Sequence, residues 1–338
     1  MWRSGLKWMF LIMGTMIGAG YASGRELWQF FGEESGLAIL LFTIIFSVAC
    51  YVIMMISYEQ KTQHFQPVLR VLIGEKWSFL YDILILFYLF TTTVVMIAGG
   101  GATLQTFHIP YSFGITVFSA LVALIFVKGI KGMIQVNSIV IPFLIMGLIS
   151  ILIIFMFQNG KPWALQWTSQ ANWPAAFTFT ALNILPLVAV IAAIGREIKS
   201  KREIKIASIG SGVLLGLISF IYNESLMQVA RELPLYEIPL FAILKYFPYT
   251  MLIMMTCLLL IAIYTTAISG VLGIVTRINY LQYRLPLWLM ACLLLLLMIP
   301  FTYIGFSKLI AILYPIYGLL NLYLLTAILL YPFVNRYK

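Results

Sequence analysis

A run near the start of the chain, Gly14-Thr15-Met16-Ile17-Gly18-Ala19-Gly20-Tyr21-Ala22-Ser23-Gly24-Arg25-Glu26, carries groups that its apolar surroundings do not call for. Each glycine weakens a helix by about 1 kcal/mol relative to alanine. Charge at bilayer depth is costly unless it is paired or faces water, and irregular backbone survives there only where it lines a cavity or is buried in protein. The chemistry that fits is recognition rather than bond-making. An unwound stretch exposes amides, and the half-helix that starts there points its positive end at the gap. A solute's anionic group would be held by those N–H groups, as at a helix N-terminus. Thr15, Gly18, Ala19, Gly20 and Tyr21 are the candidate substrate contacts from this stretch. Ala22, Arg25, Glu26 and Gln29 fall at i, i+3, i+4 and i+7, one polar stripe that should face a water-filled vestibule. Glu26 in that stripe could carry a proton; the alternative is a static Arg25–Glu26 ion pair near the surface. Gly14-xxx-Gly18 also fits a close-packed seam, which explains the spacing but neither Thr15 nor the charges.

Other polar groups interrupt later apolar segments. Thr265, Thr266 and Ser269 offer hydroxyls, and hard cations such as Na⁺ prefer oxygen ligands. Membrane helices also use Ser and Thr to bond their own carbonyls. Asn183 lies one turn before Pro186, which removes a helical hydrogen bond. Tyr88, Thr91, Thr92 and Thr93 precede Gly99-Gly100-Gly101, and Tyr314, Tyr317 and Asn321 share a helix face. Asp82 and Glu224 lie near segment ends, where snorkelling to water is expected. No phosphate-binding glycine loop with its lysine, metal-spaced histidine set or nucleophile with a base appears. Cys50, Cys257 and Cys292 fit neither a disulfide framework nor a metal site. The chain reads as no enzyme and takes no organic cofactor.

The elements that must position these groups are membrane helices. Hydrophobic residues make up 62% of 338 and charged ones 9%, which excludes a water-soluble domain. Apolar runs of the roughly 20 residues that a bilayer requires are expected at about 7–31, 36–58, 78–107, 112–128, 133–157, 174–195, 204–227, 249–275, 285–304 and 309–333. The alternation of a β-barrel is absent, and early glycines argue against a cleaved leader. The net charge of +10 would suggest nucleic acid in a soluble protein. Here sixteen Lys and Arg fall in loops on the side of the N-terminus and four (Lys161, Arg231, Lys245, Lys308) on the other. That bias predicts ten spans with both termini cytoplasmic and no nucleic-acid partner. Trp163, Trp167 and Trp173 suit an interfacial aromatic belt, and residues 228–248 suit a cap of short helices. The fold class is all-α and polytopic, one integral domain over 1–338. Repeats of about 1–157 and 174–338 enter from opposite sides, as an inverted pair would. Interrupted helices at matching positions, the first and the sixth, then mark a transport site.

The run from Gly14 to Arg25-Glu26, followed by aromatics up to Phe31, resembles the start of YkvI-like bacterial membrane proteins. Those look like members of the amino acid–polyamine–organocation superfamily, with the five-plus-five leucine-transporter (LeuT) fold. The resemblance implies several roles. Carbonyls at the first break, around Thr15 and Gly18, would ligate Na⁺ together with Thr265, Thr266 and Ser269. Arg25 would help close an outer gate. Tyr88 or Thr92 would point to substrate, and the tenth-segment stripe to the gate. The lysine of some proton-coupled relatives is missing between Met133 and Phe157, which leaves Glu26 as the carboxylate for that mechanism. The expectation is a secondary active transporter in a bacterial cell membrane, moving a small polar or amino acid-like solute. Na⁺ is its first coupling ion and H⁺ the second. A germination-receptor-like subunit that senses a ligand without net transport, or a passive channel, are the other readings.

Overall fold

The computed structural model describes residues 2–128, 133–158, 169–280 and 286–334. Trp163 and Trp167 of the expected belt lie outside the described residues, as do Lys131, Lys161, Arg284, Arg336 and Lys338 of the charge count.

The first apolar segment is three helices, α1 (Trp2–Met16), α2 (Ala19–Ala22) and α3 (Arg25–Phe30). Then come α4 (Gly36–Gln60), α5 (Gln66–Gln105), α6 (Tyr111–Lys128), α7 (Met133–Gln158), α8 (Ala175–Ala193) and α9 (Lys201–Gln228). A 3-10 turn at Leu233–Leu235 and α10 (Leu240–Leu244) form the expected cap. The chain continues through α11 (Tyr249–Tyr280), α12 (Leu287–Thr302), α13 (Phe306–Leu320) and α14 (Leu322–Val334). Among the described residues six helical stretches are long and apolar enough to cross a bilayer, with shorter apolar helices at Tyr111–Val127, Pro142–Gln158 and Leu287–Thr302.

Burial sets the layers. The most apolar stretch of α8 is 72% buried, against 44–56% for the other five long segments. α8 is therefore the central post. The other helices turn apolar side chains such as Phe79, Phe87, Phe143 and Leu296 outward, where lipid is the compatible solvent. Small residues bring helices close. A side chain at Gly212 would collide with the Ser47 hydroxyl and one at Gly216 with that of Thr43, so α9 lies flat on α4. Gly99, Gly100 and Gly101 likewise admit Phe306, Phe118 and Ile115 onto α5. Local caps follow the sequence. Ser200 Oγ accepts the Glu203 N–H at 3.4 Å and Glu203 Oε2 accepts the Lys199 N–H at 3.2 Å, a capping box that starts α9.

Four expectations are corrected. α8 runs without a break through Pro186. One missing N–H is tolerable in a helix whose neighbours shield it, and Asn183 Nδ2 meanwhile donates to the Phe179 carbonyl at 2.9 Å. The tenth segment carries one irregular residue, Asn321 (φ −85, ψ −2), between α13 and α14, within the single apolar stretch Phe306–Val334. α5 begins twelve residues earlier than expected, at Gln66 rather than 78, and bends at Gly74 (φ 76, ψ 174), a backbone that favours glycine. Asp82 is paired rather than solvated: its Oδ2 meets Arg277 Nη2 at 3.0 Å and Gln66 Nε2 at 2.9 Å.

Gly216→Leu should wedge α9 from α4 at a cost of about 1–3 kcal/mol, the range for an overpacked core. A lowered melting temperature of the detergent-solubilised protein is expected; an unchanged one would mean the seam is loose.

Candidate functional site

The first segment is interrupted twice. α1 ends at Met16, and Gly18 is extended (φ −83, ψ −174). Its N–H reaches back only to the Met16 carbonyl, at 2.9 Å. After the single turn of α2, Gly24 adopts φ +78 and α3 begins. A methyl group at Gly18 would meet nothing within 4 Å. Gly18 and Thr15 are partly accessible, while Ile17, Ala19, Tyr21 and Ala22 are buried. Open space therefore adjoins the break on the Gly18 side.

Backbone interrupted inside an apolar bundle needs partners from elsewhere, and α9 supplies them. Tyr222 donates its hydroxyl to the Ala22 carbonyl at 3.0 Å. Tyr21 inserts toward α9, its hydroxyl 2.8 Å from Ser219 Oγ and 3.2 Å from the Leu215 carbonyl. Asn223 holds both sides of Gly32, accepting its N–H at 3.0 Å and donating to its carbonyl at 2.9 Å. Ser23 stitches the second interruption, donating to the Gly20 carbonyl at 2.8 Å while accepting the Arg25 N–H at 3.3 Å. The N–H of Leu240, at the start of α10, donates to the Ser23 carbonyl at 2.9 Å. Beyond α3, Phe31 and Phe42 meet Phe179 of α8 edge-on at 4.9 and 5.0 Å.

The expected polar stripe is not one helix face, because the Ser23–Gly24 turn separates Ala22 from Arg25. Nor do Arg25 and Glu26 form an ion pair. Arg25 lies in the field of Glu237, from the segment before α10. Glu26 turns the other way, folding back so that a side chain at Gly20 would strike its carboxylate. It is 7% exposed. The phenols of Tyr21, Tyr88 on α5 and Tyr314 on α13 all feel its charge. Tyr88 stacks edge-on with Tyr317 at 5.3 Å, and Thr91 Oγ1 lies 2.8 Å from the Tyr317 hydroxyl. Thr15 and Thr92 donate to their own helices, at Leu11 and Tyr88.

α11, which carries the eighth-segment hydroxyls, packs directly against α2. Thr265 and Thr266 donate to the Ala262 carbonyl at 3.1 and 2.8 Å, and Ser269 to Thr265 at 2.9 Å. The available oxygen donors here are hydroxyls and carbonyls. Among the described residues no group of three or more His, Cys, Asp and Glu is placed to hold a metal.

Two parts of the site escaped the sequence reading. The α9 stripe Leu215, Ser219, Tyr222 and Asn223 has the spacing of one helix face, and that periodicity was its signal. A cleft of about 810 Å³ past the end of α3 is lined by Glu33, Glu34, Glu224, Arg231 and Glu232. Its residues come from the end of α9 and from separate connections, so no local pattern announces it.

No protein-family model matches the chain. It is 51% identical over 338 residues to the uncharacterized protein YyaD of Bacillus subtilis (strain 168), covering all of both chains. It is 26% identical over 331 residues to the uncharacterized membrane protein YkvI of the same organism, covering 95% of this chain and 94% of that one. Among solved structures it superposes on MhsT in complex with L-phenylalanine with a TM-score of 0.68 at 15% identity, covering 96% of this chain and 88% of that one. A substrate-bound, outward-open Na⁺-coupled sialic acid symporter gives 0.61 at 16%, covering 96% and 77%. Inward-facing Mhp1 gives 0.53 at 12%, covering 96% and 75%. The solved structures that share this fold are membrane transporters, not enzymes. With its apolar helices, the chain is a multi-pass membrane protein of LeuT-type fold, and it belongs to the family of YyaD.

Proposed function

We propose that the chain is a secondary active transporter working by alternating access. The observation that carries this reading is the doubly interrupted first segment, with open space at Gly18 and a buried carboxylate at Glu26. A structural bundle gains nothing from either. Ten crossings in a five-plus-five inverted arrangement fit the helices, with the break at Gly18 as the articulated position. The sixteen-to-four bias of Lys and Arg supports a bacterial cell membrane location with both termini cytoplasmic.

The solute is small and polar, amino acid-like by analogy with the L-phenylalanine complex of MhsT. Gly18, Ala19, Gly20 and Thr15 line its place, with Tyr88, Thr92 and Asn183 as further contacts and Tyr21 as anchor. Na⁺ is the favoured coupling ion, by analogy with the sialic acid symporter. Thr265, Thr266 and Ser269 would ligate it together with carbonyls near Thr15 and Gly18, because α11 and α2 are in contact. H⁺ on Glu26 is the second choice; the groups facing it are Tyr21, Tyr88 and Tyr314, with Arg25 beside it. Arg25 and Glu237 would close the far end over the bound solute.

Gly18→Leu should fill the open space, abolishing solute-dependent thermal stabilisation and counterflow in proteoliposomes while leaving the apo melting temperature nearly unchanged. Retained binding would return Gly18 to a packing role. The double substitution Thr265→Ala with Thr266→Ala should weaken Na⁺ activation of uptake by roughly tenfold or more, about the loss of one or two ligand bonds. Undiminished Na⁺ dependence would remove that ion site.

A further inference from the structure

We propose that Glu26 is the counter-ion for the solute, which must therefore present a cationic nitrogen, an ammonium or guanidinium group, to this carboxylate. The inference rests on the transporter reading for the solute's presence, but it concerns the chemistry of the site alone.

The argument begins with what Glu26 lacks. It is 93% buried, from its 7% exposure. Among the described residues no hydrogen bond or ion pair engages its carboxylate. Buried carboxylates are normally paired or bonded, and the one cation adjacent in sequence, Arg25, forms no ion pair with it. The groups facing Glu26 are the phenols of Tyr21, Tyr88 and Tyr314, none of them a cation. Its oxygens are not sealed, because they are absent from the fully enclosed unpartnered atoms that include Asn321 Oδ1 and Nδ2.

Its position fixes what it would meet. The carboxylate lies against Gly20, two residues from the open space at Gly18. An ionised carboxylate at that point would repel a second anion, and a cationic partner is what would keep it ionised there. A purely anionic solute held at the Gly18–Gly20 amides would bring two negative charges together at short range. A solute carrying a cationic nitrogen turns the same carboxylate into a partner, by a charge-assisted hydrogen bond. The cleft past α3 repeats the sign: Glu33, Glu34 and Glu224 outnumber Arg231 in its lining, where Glu232 is paired with Lys245. Such a surface raises the local concentration of cations, on a chain whose formal net charge is +10.

The test uses the full chain in detergent and in proteoliposomes. Agmatine, L-lysine and L-leucine carry a cationic nitrogen; 4-methylpentanoate, which is leucine without its ammonium, and uracil do not. Thermal stabilisation is measured for each on the native protein, Glu26→Gln and Glu26→Asp. At least one nitrogen-bearing probe is expected to stabilise the native protein, and 4-methylpentanoate and uracil are not. Glu26→Gln should weaken that binding roughly tenfold to a hundredfold, the range for losing one charge-assisted hydrogen bond, and Glu26→Asp should retain the preference for the amine. Stabilisation by 4-methylpentanoate or uracil equal to that of the amines overturns the proposal, as does failure of every cationic probe. Undiminished amine binding by Glu26→Gln with loss only of the pH dependence of uptake also overturns it, and makes Glu26 the proton carrier. Should Glu26→Gln not fold, the native panel and Glu26→Asp decide. Amine-dependent binding without counterflow leaves this proposal standing and removes the transporter reading; counterflow of uracil alone does the reverse.

Discussion

A peptide group taken out of its helix inside an apolar bundle must be given another partner, and the way α9 answers the first segment governs the rest of this structure. An unsatisfied N–H or C=O there costs several kcal/mol. Tyr222 on the Ala22 carbonyl, the Leu240 amide on the Ser23 carbonyl and Asn223 on both sides of Gly32 meet that cost. These bonds also fix where the break lies. Tyr222 packs so closely on Gly24 that any side chain there would strike its ring, in a backbone (φ +78) that already favours glycine. α9 can reach the break only because Gly212 and Gly216 let it settle on α4. The opening near Gly18 is thus maintained by bonds made on the other side of the same segment.

Much of this was legible in the sequence. Hydropathy located the apolar segments, because a helix that must cross lipid has few other compositions available. The first break was legible for the opposite reason: four glycines and two charges have no place in an ordinary span. What could not be read depended on partners remote in sequence. Pro186 suggested a second break, yet whether a proline opens a helix or only bends it depends on what shields the freed carbonyl. At Asn321 the helix is irregular for one residue, shortly after Pro315 and Gly318, and the side-chain amide is fully enclosed without a partner among the described residues. The apolar run placed α5 too late, since residues 66–74 are amphipathic and separated from the rest by Gly74.

The charges show the same limit in sharper form. Adjacent Arg25 and Glu26 invite the reading of a local pair, but neighbours at i and i+1 on a helix point in different directions. Arg25 lies in the field of Glu237 without an ion pair to Glu26, and Glu26 folds against Gly20. Separating them leaves two charges each oriented by something outside their own helix. That arrangement is expensive to maintain in a resting bundle and useful in one that admits a charged guest.

The segment between α9 and α11 joins those two charges to the moving parts. Leu240 is bonded to Ser23 in the first segment. Three residues earlier, Glu237 Oε2 accepts the Ser307 N–H at 2.8 Å and its carbonyl accepts the Ser307 hydroxyl at 3.2 Å. A carboxylate on the first turn of α13 is favoured by the helix dipole as well, so this contact anchors the start of the tenth segment. One short connection therefore grips both the first and the tenth segments, beside the guanidinium of Arg25. Separation of α3 from α13 has to stretch the Leu240–Ser23 bond, the Glu237–Ser307 bonds or both.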